Sequence, residues 1–301
     1  MDTPIVNIQK LSYGFGKQTI LDNIFLEVPC GSIYGFLGPN GAGKTTTLRL
    51  ILGLLQKKNG SITVFGNDLF SNRINVLKRI GSLIEQPSLY LHLNGRQNLE
   101  IFRLSYNSRK SRINEVLQIV GLSDVGNKKV KGYSLGMKQR LGIAIALLHD
   151  PELLILDEPV NGLDPNGIIE IRDLLKQLNN EYGKTIIISS HLLPEIEKTA
   201  THVAIIQKGK ILFQNTMEEL LHIQLDSSLI EIETEDNEKA IQVLQQTVPV
   251  TLRGNRILVK HQSKEQIASL NALLVKEGIQ VYRLILTQND LENIFMQITL
   301  R

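Results

Sequence analysis

The chain has one cysteine, Cys30, and no tryptophan. A single thiol cannot close an internal disulfide, which excludes a disulfide-stapled secreted scaffold and fits a reducing cytosol. Cys30 lies between Pro29 and Gly31 and reads as a turn residue with no redox role. Excess charge of one sign is also missing. Lys and Arg number 33 against 30 Asp and Glu, a net of +3, too small a surplus to mark nucleic acid or an anionic membrane as the main partner. No run approaches the ~20 apolar residues needed to cross a bilayer. The longest near the middle, Leu141–Leu148, stops between Arg140 and His149. Asp2, Pro4 and Asn7 stand where a signal peptide needs a basic flank and an apolar run. The expectation is a soluble chain, or one held at a membrane by another component.

What is present is a globular composition. The 301 residues are 42% hydrophobic and 21% charged, enough for a sizeable core and against wholesale disorder. At ~150 residues per domain this length suggests one large domain or two smaller ones. Over the first part of the chain, to about residue 215, short apolar runs alternate with helical patterns. Ile33–Leu37, Leu153–Leu156 and Thr185–Ser189 are nearly all apolar. Such runs read as strands covered on both faces, hence a parallel sheet flanked by helices. From about Pro87 to Gly132 the pattern is polar and helical, with periodic apolar positions in Leu99–Tyr106 and Ile113–Val120, and reads as a helical insertion.

The pattern changes near Gln214–Gln224, and a second unit follows. Leu229–Thr234 alternates at period two. Glu238–Gln246 is helical, with Ile241 and Leu244 on one side. Val250–Leu252 and Ile257–Val259 flank Arg253-Gly254-Asn255-Arg256, a tight hairpin signal. Ser263 with Gln266 forms a capping box before a helix that Gly278 ends, and Ile279–Leu286 reads as a strand. Asn289 with Glu292 suggests one more cap before Leu291, Ile294, Phe295 and Ile298. The order strand, helix, strand, strand, helix, strand predicts a ferredoxin-like unit with an extra helix.

Gly38-Pro39-Asn40-Gly41-Ala42-Gly43-Lys44-Thr45 fits the phosphate-loop pattern G-x-x-x-x-G-K-[ST]. Glycines let backbone N–H groups converge on a polyphosphate where side chains would intrude. Lys44 supplies a compact cation for the β- and γ-phosphates, and Thr45 a hydroxyl for Mg²⁺. A helix from Lys44 to about Leu54 adds its positive end. Leu153–Leu156 leads into Asp157 and Glu158. Asp157, at the strand end, suits Mg²⁺ directly or through water. Glu158 suits the activation of an attacking water. Alternation along a strand predicts that these two side chains point apart.

Further residues narrow the class. Tyr133-Ser134-Leu135-Gly136-Met137-Lys138-Gln139-Arg140, placed between Lys44 and Asp157, resembles the signature motif of ATP-binding cassette (ABC) proteins. Leu135 stands where the family usually has its first glycine, and Met137 where it has glutamine. Gln86 resembles the family's Q-loop glutamine, Asn161-Gly162-Leu163-Asp164 its D-loop, and His191 its switch histidine. Phe15 stands where the family stacks an aromatic on adenine, with Tyr13 as a rival. Alone, Gln86 would read as a solvated loop residue and His191 as a helix cap. Their weight comes from order and spacing.

The resemblance covers about residues 5–215. It implies an α/β fold: a P-loop NTPase ABC cassette over 1–217 with a helical subdomain at about 87–148. A small α+β, ferredoxin-like accessory domain over 225–301 would follow. It implies ATP and Mg²⁺, with ATP held by Phe15, the residues from Gly38 to Thr45, and Thr46. Thr45, Gln86 and Asp157 would serve the metal, and Glu158, His191 and Gln86 the hydrolysis. Ser134 and Gly136, at a helix start, would face the γ-phosphate bound to a partner cassette, either a second copy or a relative. Asp164 would link the two sites. The implied function is the ATP-hydrolysing subunit of a transporter, cytoplasmic and peripheral on the inner membrane face. A separately encoded permease would dock beside Gln86–Tyr106, and no nucleic acid takes part. The alternative is a soluble ABC ATPase acting on ribosomes or DNA. Tyr133–Arg140, Asn161–Pro165 and the ending Leu291–Phe295 together resemble drug and peptide-antibiotic export ATPases of the bacitracin or lantibiotic type. Sodium, lipid and gliding-related transporters look similar.

Overall fold

The computed structural model describes residues 3–16, 18–85, 87–226, 228–260 and 263–287. The chain divides into two units, Met1–Thr216 and Met217–Arg301. The first opens with two long antiparallel strands, β1 (Val6–Phe15) and β2 (Gln18–Val28). Val6, Ile8, Leu11 and Tyr13 of β1 are buried, as are Leu21, Ile24, Leu26 and Val28 of β2. The inward positions do not keep a strict period of two. Lys10 (φ 52°) and Asn23 (φ 50°) take left-handed conformations where the register shifts. Each bulge skips a residue and returns the next apolar side chain to the core.

The strand β3 (Ile33–Leu37) follows, then the phosphate loop and the helix α1 (Lys44–Ile51). β4 (Asn59–Val64) pairs with β1, and the short β5 (Asn67–Asp68) pairs with β4. These complete a four-stranded antiparallel sheet in the order β2-β1-β4-β5. The sequence names no strands in these stretches, so this antiparallel sheet is an addition to the expected parallel one. α2 (Arg73–Leu77) then leads to β6 (Ile80–Leu83).

The expected helical insertion consists of α3 (Gly95–Tyr106), α4 (Arg112–Ile119) and α5 (Leu135–Ala146), which pack on one another. Asn94 and Gln97 form a full capping box at the start of α3. Asn98, fully buried, accepts from Tyr90 N–H (2.8 Å) and donates to Tyr90 O (3.1 Å) and Asn94 O (2.9 Å). A buried amide so paired pins the loop ahead of the helix.

The chain then returns to the sheet through β7 (Leu153–Leu156), α6 (Pro165–Asn180), β8 (Thr185–Ser190), α7 (Leu193–Glu197), β9 (His202–Gln207) and β10 (Lys210–Thr216). Six strands line up as β10-β9-β3-β8-β7-β6. Every pairing is parallel except β9 with β10. β3, β7 and β8 are buried at every residue, as nearly all-apolar runs covered on both faces require.

The second unit begins with α8 (Met217–Asp226), which spans the interval 218–224 between the two expected domains and runs into both. It continues as β11 (Leu229–Thr234), α9 (Asn237–Leu244), β12 (Val250–Arg253), β13 (Arg256–Lys260), α10 (Lys264–Lys276) and β14 (Val281–Thr287). The four strands are antiparallel, in the order β12-β13-β11-β14. Ile230, Ile232, Leu244, Ile257, Val259 and Leu274 form its own core. Asp236 caps α9 through Lys239 N–H, and Ser263 caps α10 through Gln266 N–H. The helix expected at Leu291–Ile298 lies outside the described residues.

Because this core is separate, damage to it should stay local. Leu244 is fully buried, so Leu244→Ala should destabilise the second unit by about 2–5 kcal/mol. Hydrogen exchange on the full chain should quicken across residues 229–287 and stay unchanged in Ile33–Leu37. Equal acceleration in both would show one shared cooperative unit.

Candidate functional site

Three neighbouring parallel strands, β3, β8 and β7, deliver the site residues at their carboxyl ends. Ligands gather at this edge of a parallel sheet, because loops and helix N-termini converge there. β3 ends at Leu37, and the loop starts at Gly38, whose N–H donates to Ser190 O (3.2 Å). A Cβ on Gly38 would lie 2.3 Å from Ile206 O, so no side chain fits. Gly43, the N-cap of α1, has φ 112°, which L side chains avoid. It makes no side-chain cap. The first-turn amides of α1 therefore stay available to an anion at the helix's positive end.

Lys44 is 5% exposed, and its Nζ donates to Gly38 O at 2.6 Å. The same Nζ lies 3.3 Å from Glu158 Oε1. His191 Nδ1 lies 2.8 Å from Glu158 Oε2, within hydrogen-bond range. The cation, the carboxylate and the imidazole therefore form one chain. Thr45 Oγ1 donates to Asp157 Oδ2 at 2.7 Å, and Ser189 Oγ donates to Asp157 Oδ1. Ser189 Oγ also accepts the Glu158 N–H at 2.9 Å. An open cleft of about 420 Å³ is walled by Asn40, Gly41, Lys44, Thr45, Glu158 and His191, with Ile20 and Asn161 at its sides.

Asp157 and Glu158 do diverge, but not by strand alternation. β7 ends at Leu156, and Glu158 has φ 49°. The left-handed turn aims Glu158 at Lys44 and His191 and leaves Asp157, 4% exposed, against Thr45 and Ser189. That is the physical correction to the sequence expectation.

Ser134 is the N-cap of α5 and accepts from Met137 N–H (3.2 Å). Leu135 begins the helix as an ordinary helical residue, and its side chain lies against Gly162. A Cβ added to Gly136 would only just reach Gly167 and Leu163, so the signature and D-loop residues lie near one another. Asp164 caps α6 through Gly167 N–H (3.1 Å). Phe15 is 55% exposed, whereas Tyr13 is 9% exposed and meets Phe15 edge-on at 5.2 Å. Of the two rings, Phe15 is the exposed one. Pro39 and Asn40 are exposed on the loop, Ala42 is buried beneath it, and Thr46 lines the cleft. Gln86 lies outside the described residues. Sequence reasoning gave no role to Ser189 or Ile20. The signal for Ser189 was a polar residue closing an otherwise apolar strand run.

A family model described as "ABC transporter" matches residues 21–161. The bacitracin transport ATP-binding protein BcrA of Bacillus licheniformis is 42% identical over 298 residues, covering 98% of this chain and 97% of that protein. The lantibiotic transport ATP-binding protein SrtF of Streptococcus pyogenes is 43% identical over 227 residues, covering 73% of this chain and 97% of that protein. Among solved structures, the ATP-binding cassette MJ0796, a post-hydrolysis dimer bound to ADP and Pi, aligns with a TM-score of 0.62 at 24% identity. It covers 70% of this chain and 98% of that one. That likeness shows the shared fold.

The cleft's one buried cation makes a direct test. Lys44→Ala should weaken ATP binding about 10- to 100-fold, the loss of a charged hydrogen bond of ~1.5–3 kcal/mol. Isothermal titration with ATP checks this, and unchanged affinity would remove the loop from nucleotide binding.

Proposed function

The chain belongs to the ABC transporter family of ATP-binding proteins, and from that premise we propose that it powers an exporter of peptide antibiotics of the bacitracin class. It is an ATP-binding and ATP-hydrolysing transporter subunit. The cargo reading rests on one observation. The match to the bacitracin transport protein runs over 98% of the chain, second unit included, whereas the lantibiotic relative matches 73%.

The residues suit hydrolysis as follows. Loop amides and Lys44 would hold the phosphates, and Phe15 would stack on the adenine. Thr45 and Asp157 present two hard oxygen donors 2.7 Å apart, a fit for Mg²⁺. Among the described residues no three His, Cys, Asp or Glu gather into a cage. Mg²⁺ needs none where phosphates and waters complete its shell. When bound, the ion offsets phosphate charge. Glu158 would take a proton from water as the water oxygen bonds to the γ-phosphorus. The bond to the bridging oxygen breaks, and ADP leaves with the electron pair. His191, on the cleft wall, would steady Glu158 and meet the γ-phosphate. Gln86 would join the metal to the helical insertion.

Ser134 and Gly136, at the start of α5, would serve the ATP of a second cassette, with Asp164 linking the two sites. ATP would then close a dimer and hydrolysis reopen it. No helix among the described residues is long and apolar enough to cross a membrane. The pathway would belong to a separate permease, with this chain on the cytoplasmic face.

Deleting the gene should lower bacterial resistance to bacitracin, measured as the minimum inhibitory concentration, and the wild-type gene should restore it. Restoration of resistance to a lantibiotic but not to bacitracin would move the cargo assignment. Glu158→Gln should not restore it. In the purified protein that substitution should slow ATP turnover at least ~100-fold, the lower range for losing a general base, while ATP still drives dimerisation in size-exclusion chromatography. A wild-type rate would exclude Glu158 as the base.

A further inference from the structure

We propose that Ser189 is a positioning residue for ATP hydrolysis, its one hydroxyl setting the direction of both carboxylates in the cleft. This role rests on the ATPase reading of that cleft. Ser189 is fully buried in β8, where its neighbours Ile186, Ile187 and Ile188 are apolar. A hydroxyl buried so deeply is costly unless its hydrogen-bonding capacity is used. Here both sides are used. The O–H donates to Asp157 Oδ1, and the oxygen accepts the Glu158 N–H at 2.9 Å. The neighbouring hydroxyl does not share the task, since Ser190 Oγ accepts from Leu192 N–H (2.9 Å) and donates to Leu192 O (3.3 Å).

The two bonds act on different things. On Asp157, Ser189 holds one carboxylate oxygen while Thr45 holds the other at 2.7 Å, so the carboxylate plane cannot turn. On Glu158, the bond falls on the backbone at the residue with φ 49°. Glutamate avoids that conformation, and it persists only where neighbouring groups over-determine it. β7 has already ended at Leu156, so the strand ladder does not hold the Glu158 N–H. Ser189 does. Releasing it would let the backbone relax and swing the Glu158 carboxylate away from Lys44 and His191. Lys44 would keep its bonds to Gly38 O at 2.6 Å and Pro39 O at 3.4 Å, so the phosphate loop would hold its cation.

The test uses the full chain with MgATP and compares wild type, Ser189→Ala, Glu158→Gln and the double variant. Ser189→Ala should lower kcat about tenfold or more, the size of one hydrogen bond to a charged group. KM should stay within about threefold, since ground-state binding is not what the hydroxyl serves. In the Glu158→Gln background the same substitution should cost clearly less than in wild type, because the part of its effect that runs through Glu158 is already lost and only the part through Asp157 remains. A purely structural role would raise KM and slow both backgrounds alike, and that result overturns the assignment. So does a wild-type kcat in Ser189→Ala. If the alanine protein does not fold, Ser189→Cys, similar in shape but a weak donor, carries the comparison with the same two readings. A wild-type chain that hydrolyses no ATP overturns the ATPase reading as well, which separates the two failures.

Discussion

The parallel pairing of β3 with β8, and of β8 with β7, places Gly38, His191 and Asp157 each one residue past the end of a neighbouring strand. The rest of the cleft depends on that alignment. All three strands are buried along their whole length, and a register slip would push the wrong residues past the edge. The apolar cores on the two faces of the sheet therefore set the distances in the cleft. The Gly38 N–H to Ser190 O bond ties the loop to β8 just before His191.

Charge is organised around this frame. Lys44 is almost fully buried, and an unpaired ammonium there would be strongly disfavoured. Two backbone carbonyls, Gly38 O and Pro39 O, and the Glu158 carboxylate surround it. Glu158 in turn holds His191. Asp157 is satisfied separately by Thr45 and Ser189. Adjacent carboxylates thus sit in different hydrogen-bond networks. The left-handed turn at Glu158 is the backbone device that separates them.

The second unit contributes differently. Its four antiparallel strands and two packed helices form a core of their own, with capped helices and a tight hairpin. It carries no cluster of metal-ligating side chains among its described residues. The relatives divide on it: the lantibiotic protein aligns over 227 residues, the bacitracin protein over 298.

The sequence by itself determined whatever is local. Gly38–Thr45, the all-apolar strands, the Ser134 cap and the hairpin at Gly254-Asn255 each lie within a few neighbouring residues, where backbone sterics and hydrophobic periodicity act directly. The order of these pieces was enough to identify the family. Tertiary structure decided the rest. Lys10 and Asn23 break the period of β1 and β2 with bulges, so their sheet cannot be recognised by alternation. Tyr13 and Phe15, two residues apart and in ring contact, differ in burial (9% against 55% exposed), a difference that no local pattern announces. Ser189 meets Asp157 across 32 residues of chain, a contact made by the register of two strands and by nothing near either residue in sequence. Hydrogen bonds between strands depend on how the whole sheet packs, and that information is spread over every buried side chain rather than written in a motif.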